Sequence, residues 1–468
     1  MEPAARQSVA VITLGCARNE VDSEELAARL HQSGWAVVAD PEAADVVMVN
    51  TCGFVEQAKQ ESIDVVLAAA DTGRPVVAVG CLAQRYGSEL AAELPEASVL
   101  GFDDYPDIAD RLDDALAGVP HTAHAPGDRR RLLPISPVDR AGATAPGHGH
   151  GTELGSELLT GARLLHPGPS QPVKLASGCD RRCAFCAIPQ FRGAFVSRPP
   201  EDVLAEIGAL VRAGVSEVLL VSENSTSYGK DLGDLRALEG LLRQAAETPG
   251  LLWLRPCYLQ PAELRPTLVE VLATTPGVAP YFDLSFQHAS GAVLRRMRRF
   301  GSDETFLELL GRIRALRPDA GVRSNFIVGF PGETEEDVQI LVDFLAAAEL
   351  DAIGLFGYSD EDGTEAVALP GHLPESEVAD RLAAVRDVAD AVMSDRAEAR
   401  VGEVTQVLVE SVDEDGVQGR AGHQGPEDGG TIVSDAPAEV AVGDVLTVRI
   451  VESLGVDVVG TVVADGSS

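Results

Sequence analysis

The chain opens with three unbroken apolar runs rich in β-branched residues: SVAVITLGC, DVVMVNTCGF and RPVVAVGC. Each leads into a segment whose apolar residues recur at helical spacing: EVDSEELAARLHQSG, EQAKQESIDVVLAAA and LAQRYGSELAAEL. Continuous apolar strands alternating with amphipathic helices predict an α/β domain with a parallel sheet, because such strands are covered by helices on both faces. All three strand runs carry a cysteine at the carboxyl end: Cys16, Cys52 and Cys81. That edge is where open α/β sheets bind ligands. Adjacent strands lie ~4.8 Å apart, so three cysteines placed this way can meet on one inorganic centre. Three buried structural cysteines are the simpler alternative, but that alternative gives no reason for the same position in all three units.

The pattern then breaks. Residues 121–170 are rich in Pro, Gly, Ala and His and read as a linker or long loop. His148 and His150 in it, and the run Arg129, Arg130, Arg131, are expected to be solvated. Alternation resumes over 171–396. QPVKLASGC, SEVLLVSEN, WLRPCYL, YFDLSFQHA, GVRSNFIVGFPG and DAIGLFGYS read as strands, with helical stretches such as EDVLAEIGALVRAG between them. Repeated βα units predict a partial TIM barrel whose site lies at the strand carboxyl ends. Residues 397–468 change again, to β-type runs with Gly-bearing turns, and predict a small β-barrel. The expected division is therefore 1–120, a linker 121–170, 171–396 and 397–468, an α/β multidomain chain with a terminal barrel.

Charge narrows the classes of partner. Lys plus Arg number 37 and Asp plus Glu 73, a formal net charge of −36. From Ala397 onward there are 14 acidic residues against three Arg. Such a field repels phosphate and attracts a basic protein. No apolar run reaches the ~18 residues of a membrane span, and the N-terminus lacks the pattern of a secretory signal. A cytoplasmic protein is expected. There disulfides are disfavoured, so an odd total of seven cysteines points to metal ligation or catalysis.

Three of the seven lie within SGCDRRCAFC, as Cys179, Cys183 and Cys186. Thiolates are the usual ligands of iron–sulfur clusters. Three of them on a 4Fe–4S cubane leave one iron open to an outside ligand. Zinc is the rival, but structural zinc sites are closed by four ligands, and no fourth His or Cys stands near in sequence.

CxxxCxxC after the first strand of such a barrel resembles the radical S-adenosylmethionine (SAM) enzymes. Their open iron holds the amino and carboxylate groups of SAM, which is cleaved to a 5′-deoxyadenosyl radical. The rest of the chain resembles the methylthiotransferases within that superfamily. TLGCARNEVDSE, VNTCGFVEQAKQESI, VGCLAQRYGSEL, SGCDRRCAFCAIPQFRG, VSRP, QHAS, LRRMRR, FIVGFPGETEED and YSDEDGT carry the likeness. LGCARNEVDSE, GCLAQRY and RSNFIVGFPGE resemble the RimO-type branch, and the terminal segment resembles a TRAM domain.

The resemblance implies methylthiolation of an aspartate β-carbon in the small-subunit ribosomal protein S-twelve. It implies two 4Fe–4S clusters, one on Cys16, Cys52 and Cys81 and a SAM-binding one on Cys179, Cys183 and Cys186, and an electron donor such as flavodoxin or ferredoxin. SAM is then used twice, as methyl donor and as radical source. A C–H bond too weakly acidic for a base explains why no Ser-His-Asp or paired-carboxylate set is needed. Phe185, Glu223, Asn224, Gly329 and Gly332 are candidate SAM or substrate contacts, although Glu223 and Asn224 stand where the family often has Gln and Asp. Gln287 and His288 follow a strand and are possible site neighbours, Arg295, Arg296, Arg298 and Arg299 form a basic patch expected on a solvated helix face, and Cys257 is expected to be a buried apolar residue. A MiaB-type tRNA adenosine methylthiotransferase is the first alternative, disfavoured by the acidic terminal module. A non-catalytic iron–sulfur carrier is a second, but would not need a SAM barrel.

Overall fold

The computed structural model describes residues 7–53, 55–140, 165–414 and 416–463; His148 and His150 lie outside the described residues. The N-terminal sheet is fully parallel. Its strands are β1 Ser8–Thr13, β2 Ala36–Val38, β3 Val46–Thr51, β4 Val76–Val79 and β5 Ala97–Val99, in the order β2-β1-β3-β4-β5. The three apolar runs are β1, β3 and β4, which are neighbours at the centre. β2 and β5 are three-residue edge strands, too short to leave a periodic signal. Side chains alternate across the sheet: Val46 and Met48 pack with Leu26, Leu30 and Leu112, and Val47 and Val49 with Val66, Ala69 and Leu82. Strand order reverses between β1 and β3, and ligands bind at that switch point in sheets of this order.

After the helix Ile108–Leu116 the chain does not run free. The His124 ring hydrogen-bonds Gln84 O at 2.8 Å, buried Arg129 pairs with Asp103 at 2.9 Å, and buried Arg140 pairs with Asp180 at 2.8 Å. Arg129 therefore leaves the solvated run expected of it, while Arg130 and Arg131 stay exposed.

The central unit is β6 Ser170–Lys174, a short antiparallel pair of β7 Ala176–Ser177 with β8 Val196–Ser197, then β9 Glu217–Val221, β10 Trp253–Pro256, β11 Tyr281–Gln287, β12 Gly321–Val328 and β13 Ala352–Gly357. β6-β9-β10 and β11-β12-β13 are parallel sheets joined by bridges at Leu254–Val278 and Leu259–Leu284. Six parallel strands thus run side by side in chain order, and among the described residues β13 and β6 do not pair. This is the partial barrel that the βα alternation predicts. Phe286, Phe306, Phe326 and Phe344 fill its core with ring centroids 4.3–6.3 Å apart.

The 25-residue helix Glu375–Ala399 leads to a closed barrel of β14 Val404–Asp413, β15 Gly416–Ala421, β16 Thr431–Val433, β17 Val445–Leu454 and β18 Asp457–Val462. It docks through a buried charge triad. Glu217 on β9 meets Arg255 on β10 at 2.7 Å and Arg420 on β15 at 2.5 Å. Backbones also come close: a Cβ at Gly321 would stand 1.9 Å from the His423 carbonyl oxygen.

Candidate functional site: two cysteine sets at a domain junction

Cys16 caps the helix Ala17–Gln32 after β1, Cys52 follows β3, and Cys81 sits in the first turn of Gly80–Tyr86 after β4. The three therefore leave adjacent strands at one edge. Glycine makes the closeness possible. Gly15 has φ +95°, and a Cβ there would lie 2.9 Å from Cys52 Sγ. Gly80 has φ +94°, with Asn50 Oδ1 2.2 Å from where its Cβ would be. Buried Asn19 ties the loops together, donating from Nδ2 to Leu14 O at 2.8 Å and Thr51 O at 3.3 Å.

The second set follows β7. Cys179 N–H donates to Gly193 O at 3.1 Å, Ala184 N–H to Met297 O at 3.0 Å, and Ala366 N–H to the Ala184 carbonyl at 2.8 Å. Gly178, at φ +81°, lies against Ala194 O. The loop is thus held from three sides, and Cys183 and Cys186 lie near enough to Cys179 to act on its ionisation. Burial pushes the Cys179 thiol well up, and burial with the neighbouring Cys183 pushes Cys186 up to about 12. These thiols ionise readily only beside a cation, which a metal centre supplies. All six are free thiols. Among the described residues no three His, Cys, Asp or Glu side chains converge on a point that one ion would fill; a polynuclear cluster holds its thiolates further apart.

Residues that the sequence motifs did not single out join the two sets. Arg192, from the barrel side, donates to Cys81 Sγ at 3.1 Å and Asn19 Oδ1 at 3.2 Å, and pairs with Asp22 at 2.8 Å. Lys174 on β6 also pairs with Asp22. Arg18 stands 4.0 Å from Glu223 and 5.0 Å from the Tyr258 ring centroid. The surroundings of half-buried Cys16 disfavour its anion, yet the Arg18 charge and hydrogen bonds from Arg18 and Asn19 bring its thiol below the ordinary value. Arg18 favours the Cys186 thiolate too, so one guanidinium acts on both sets.

Phe185 and Cys186 line a cavity of about 130 Å³ closed by Gly53 and Arg85 of the first domain and by Gln287, Asn325, Phe356, Tyr358 and Glu361 of the barrel. Asn325 Oδ1 and Glu361 Oε1 are buried there without a partner. Glu223 faces Arg18 and Arg192, with Oε2 buried and unpartnered. Asn224 spends its amide on Ser227 in its own turn and on Glu263 in the segment after β10. Gly329 and Gly332 have φ of +84° and +81° and serve the turn after β12, outside the lining of that cavity. His288 is a core residue: Nδ1 accepts from Ser290 N–H at 2.9 Å, and Nε2 lies 3.3 Å from Glu333. The basic patch divides. Arg296 is spent on the Pro331 and Pro370 carbonyls, whereas Arg299 is buried, with Nη1 3.7 Å from Cys183 Sγ. Cys257 is buried among Val21, Leu219 and Val221, as expected.

Comparison with known proteins agrees with this architecture. Residues 8–101 match the model of uncharacterized protein family UPF0004, residues 173–345 the radical SAM superfamily and residues 401–463 the TRAM domain. The solved radical S-adenosylmethionine methyltransferase TsrM from Kitasatospora setae superposes with a TM-score of 0.52 over 75% of this chain and 73% of its own, at 16% identity, a likeness of fold. Fold, cysteine loop and matched segments define a radical SAM enzyme, a class that implies SAM and a 4Fe–4S cluster. Proteins named ribosomal protein uS12 methylthiotransferase RimO are far more similar. The one from Salinispora tropica is 59% identical over 98% of this chain and 96% of its own. Those from Saccharopolyspora erythraea and Streptomyces coelicolor are 60% and 57% identical, over 96% and 97% of this chain and 94% and 96% of theirs. The chain belongs to the RimO family of methylthiotransferases.

Proposed function

We propose that the protein adds a methylthio group to the β-carbon of an aspartate in ribosomal protein uS12. The observation that carries this reading is the meeting of both cysteine sets at one junction, bound together by Arg192, Asp22 and Arg18. Cys179, Cys183 and Cys186 would hold a 4Fe–4S cluster with one iron left for SAM, and Cys16, Cys52 and Cys81 a second one. When bound, these groups supply the electron that cleaves SAM and the sulfur that is transferred.

The chain's own residues prepare the place. Arg192, Arg18 and Arg299 direct positive charge at cysteine sulfurs, which favours thiolates and tunes a bound cluster. Phe185, Ile188 and Phe356 give the cavity apolar walls, and the unpartnered acceptors Asn325 Oδ1 and Glu361 Oε1 suit the N–H donors of an adenosyl group. Glu361 takes Lys59 at 2.8 Å and Arg85 at 2.7 Å from the first domain, which ties that domain to the barrel mouth.

Partner choice follows charge. Two of the terminal barrel's three arginines are buried in ion pairs, Arg400 with Asp351 and Arg420 with Glu217, and Arg449 is exposed. Its surface is left strongly acidic, which suits a basic ribosomal protein and disfavours tRNA. Among the described residues no helix is long and apolar enough to cross a membrane, and the proposed substrate places the enzyme in the cytoplasm, with flavodoxin or ferredoxin as donor.

Anaerobic reconstituted enzyme with SAM and reductant, given uS12 and bulk tRNA in one tube, tests this by mass spectrometry. The expected result is a methylthio gain on an aspartate of uS12 and none on tRNA. A gain on tRNA adenosine instead would reject the substrate and keep the chemistry.

A further inference from the structure

Three arginines face cysteine sulfurs, and two of them are spent. Buried Arg192 takes Asp22 at 2.8 Å and Asn19 Oδ1 at 3.2 Å besides Cys81, and buried Arg299 donates to the Ser285 carbonyl besides Cys183. Arg18 differs. It hydrogen-bonds the Cys16 sulfur, but among the described residues its nearest carboxylate, Glu223, is 4.0 Å away, beyond hydrogen-bond reach. A guanidinium carries five N–H donors in a rigid fork, so donors are left over. The Arg18 side chain keeps 16% exposure against 3% for Glu223, so the free edge can be reached. It is also held in place. The Tyr258 ring centroid lies 5.0 Å from the guanidinium. Tyr258, two residues past β10, has φ +59°, a costly left-handed conformation for so bulky a residue, and its N–H is fixed on Asp283 Oδ2 at 2.7 Å. Strain of this kind is kept where a side chain has to be aimed. The surrounding charge is not balanced. Lys174 and Arg192 share Asp22, and Arg192 and Arg18 share Glu223. Glu25, 4.0 Å from Lys174, is answered by Arg29 at 3.2 Å. Three cations thus face two carboxylates, which leaves room for a third. Arg18 acts on both Cys16 and Cys186, so a group bound to it would lie between the two sets.

We propose that Arg18 grips the side-chain carboxylate of the substrate aspartate and so fixes its β-carbon between the two cysteine sets. The β-carbon is bonded to the carboxylate carbon, so a two-pronged pair with the guanidinium sets both the position and the facing of the reacting carbon. The pair is non-covalent, and no bond to the substrate forms or breaks at Arg18. An adenine ring offers no carboxylate to this fork, so the same contact favours an aspartate over an adenosine. The inference rests on the substrate proposed above.

The test measures binding of purified uS12 to anaerobic reconstituted holoenzyme with SAM and without reductant, so that nothing turns over. Two forms of uS12 are compared: the natural one, and one whose target aspartate, located by its methylthio mass gain, is replaced by asparagine. Parent enzyme should bind the aspartate form about tenfold more tightly than the asparagine form. Arg18→Gln should bind the aspartate form about tenfold more weakly than the parent does and no longer separate the two. Arg18→Lys, which keeps the charge without the fork, should fall between. Parent enzyme that binds both forms alike would overturn the inference, and this arm needs no altered enzyme to fold. Equal weakening of both forms by Arg18→Gln would overturn it too, since Arg18 would then serve the cysteine sulfurs alone. Parent enzyme that leaves uS12 unmodified once reductant is added would reject the proposed substrate and this inference with it, whereas modification without preference for the aspartate form in binding sinks the inference alone.

Discussion

Cys179→Ala protein is expected to lose reductive SAM cleavage completely while still carrying roughly half of the iron of the parent. Cys179 is the anchor of its loop, buried, with its N–H on Gly193 O at 3.1 Å and its sulfur receiving the Arg181 N–H at 3.4 Å. Alanine leaves those backbone contacts in place, so the loop keeps its path and only the sulfur is lost. A cubane left with two thiolates has two open irons and is shed or rearranged. The second cluster proposed on Cys16, Cys52 and Cys81 would stand on another sheet and should be retained. Iron and sulfide analysis, with product 5′-deoxyadenosine counted after anaerobic reduction, checks both halves. Continued cleavage would remove Cys179 from the SAM site, and loss of all iron would show that the two sets assemble as one unit.

The largest stability effect is expected at Glu217. Its side chain has no exposure, nor has that of Arg255, and both oxygens are used: Oε1 by Arg255, and Oε2 by Arg420 at 2.5 Å and Ser170 at 2.8 Å. Removing one partner from such a set leaves buried charge uncompensated and costs about 3–5 kcal/mol. Glu217→Ala should therefore loosen the terminal barrel from β9 and β10, read as a lower unfolding midpoint and as proteolysis near residue 400. The pH dependence has a definite sign. Burial alone would raise this carboxyl, but Arg255 and Arg420 outweigh it and hold it at about 2 against an ordinary 4.5. A depressed carboxyl stabilises fully above its unfolded value and less as protons bind. Acid should thus weaken the docked state progressively from pH 4.5 toward 2 in the parent, and the Glu217→Ala protein should show a shallower acid dependence. An identical acid profile in both would mean that other carboxylates govern the transition.

Much of the architecture was legible because its signals are local. β1, β3 and β4 announce themselves as unbroken apolar runs, and the helices between them by spacing. β2 and β5 did not, being three residues each. The six cysteines of the two sets were legible for the same reason: each is tied to a strand end or packed within eight residues. The default reading of a charged run as solvent-facing failed at Arg129 and Arg299, because a guanidinium flanked by exposed neighbours shows nothing of the carboxylate or carbonyl that awaits it elsewhere.

By itself, then, the sequence determined where the longer strands run, which of them end in thiols, and that the terminal module is acidic; hydrophobic period and cysteine spacing need no partner to be read. Only the tertiary structure decided that β1, β3 and β4 are neighbours, that Arg192 crosses to Cys81 over 111 positions, and that Glu217 joins barrel and terminal domain through Arg255 and Arg420. Such pairings are settled by distance in space, and a charge buried far along the chain from its partner leaves no periodic trace.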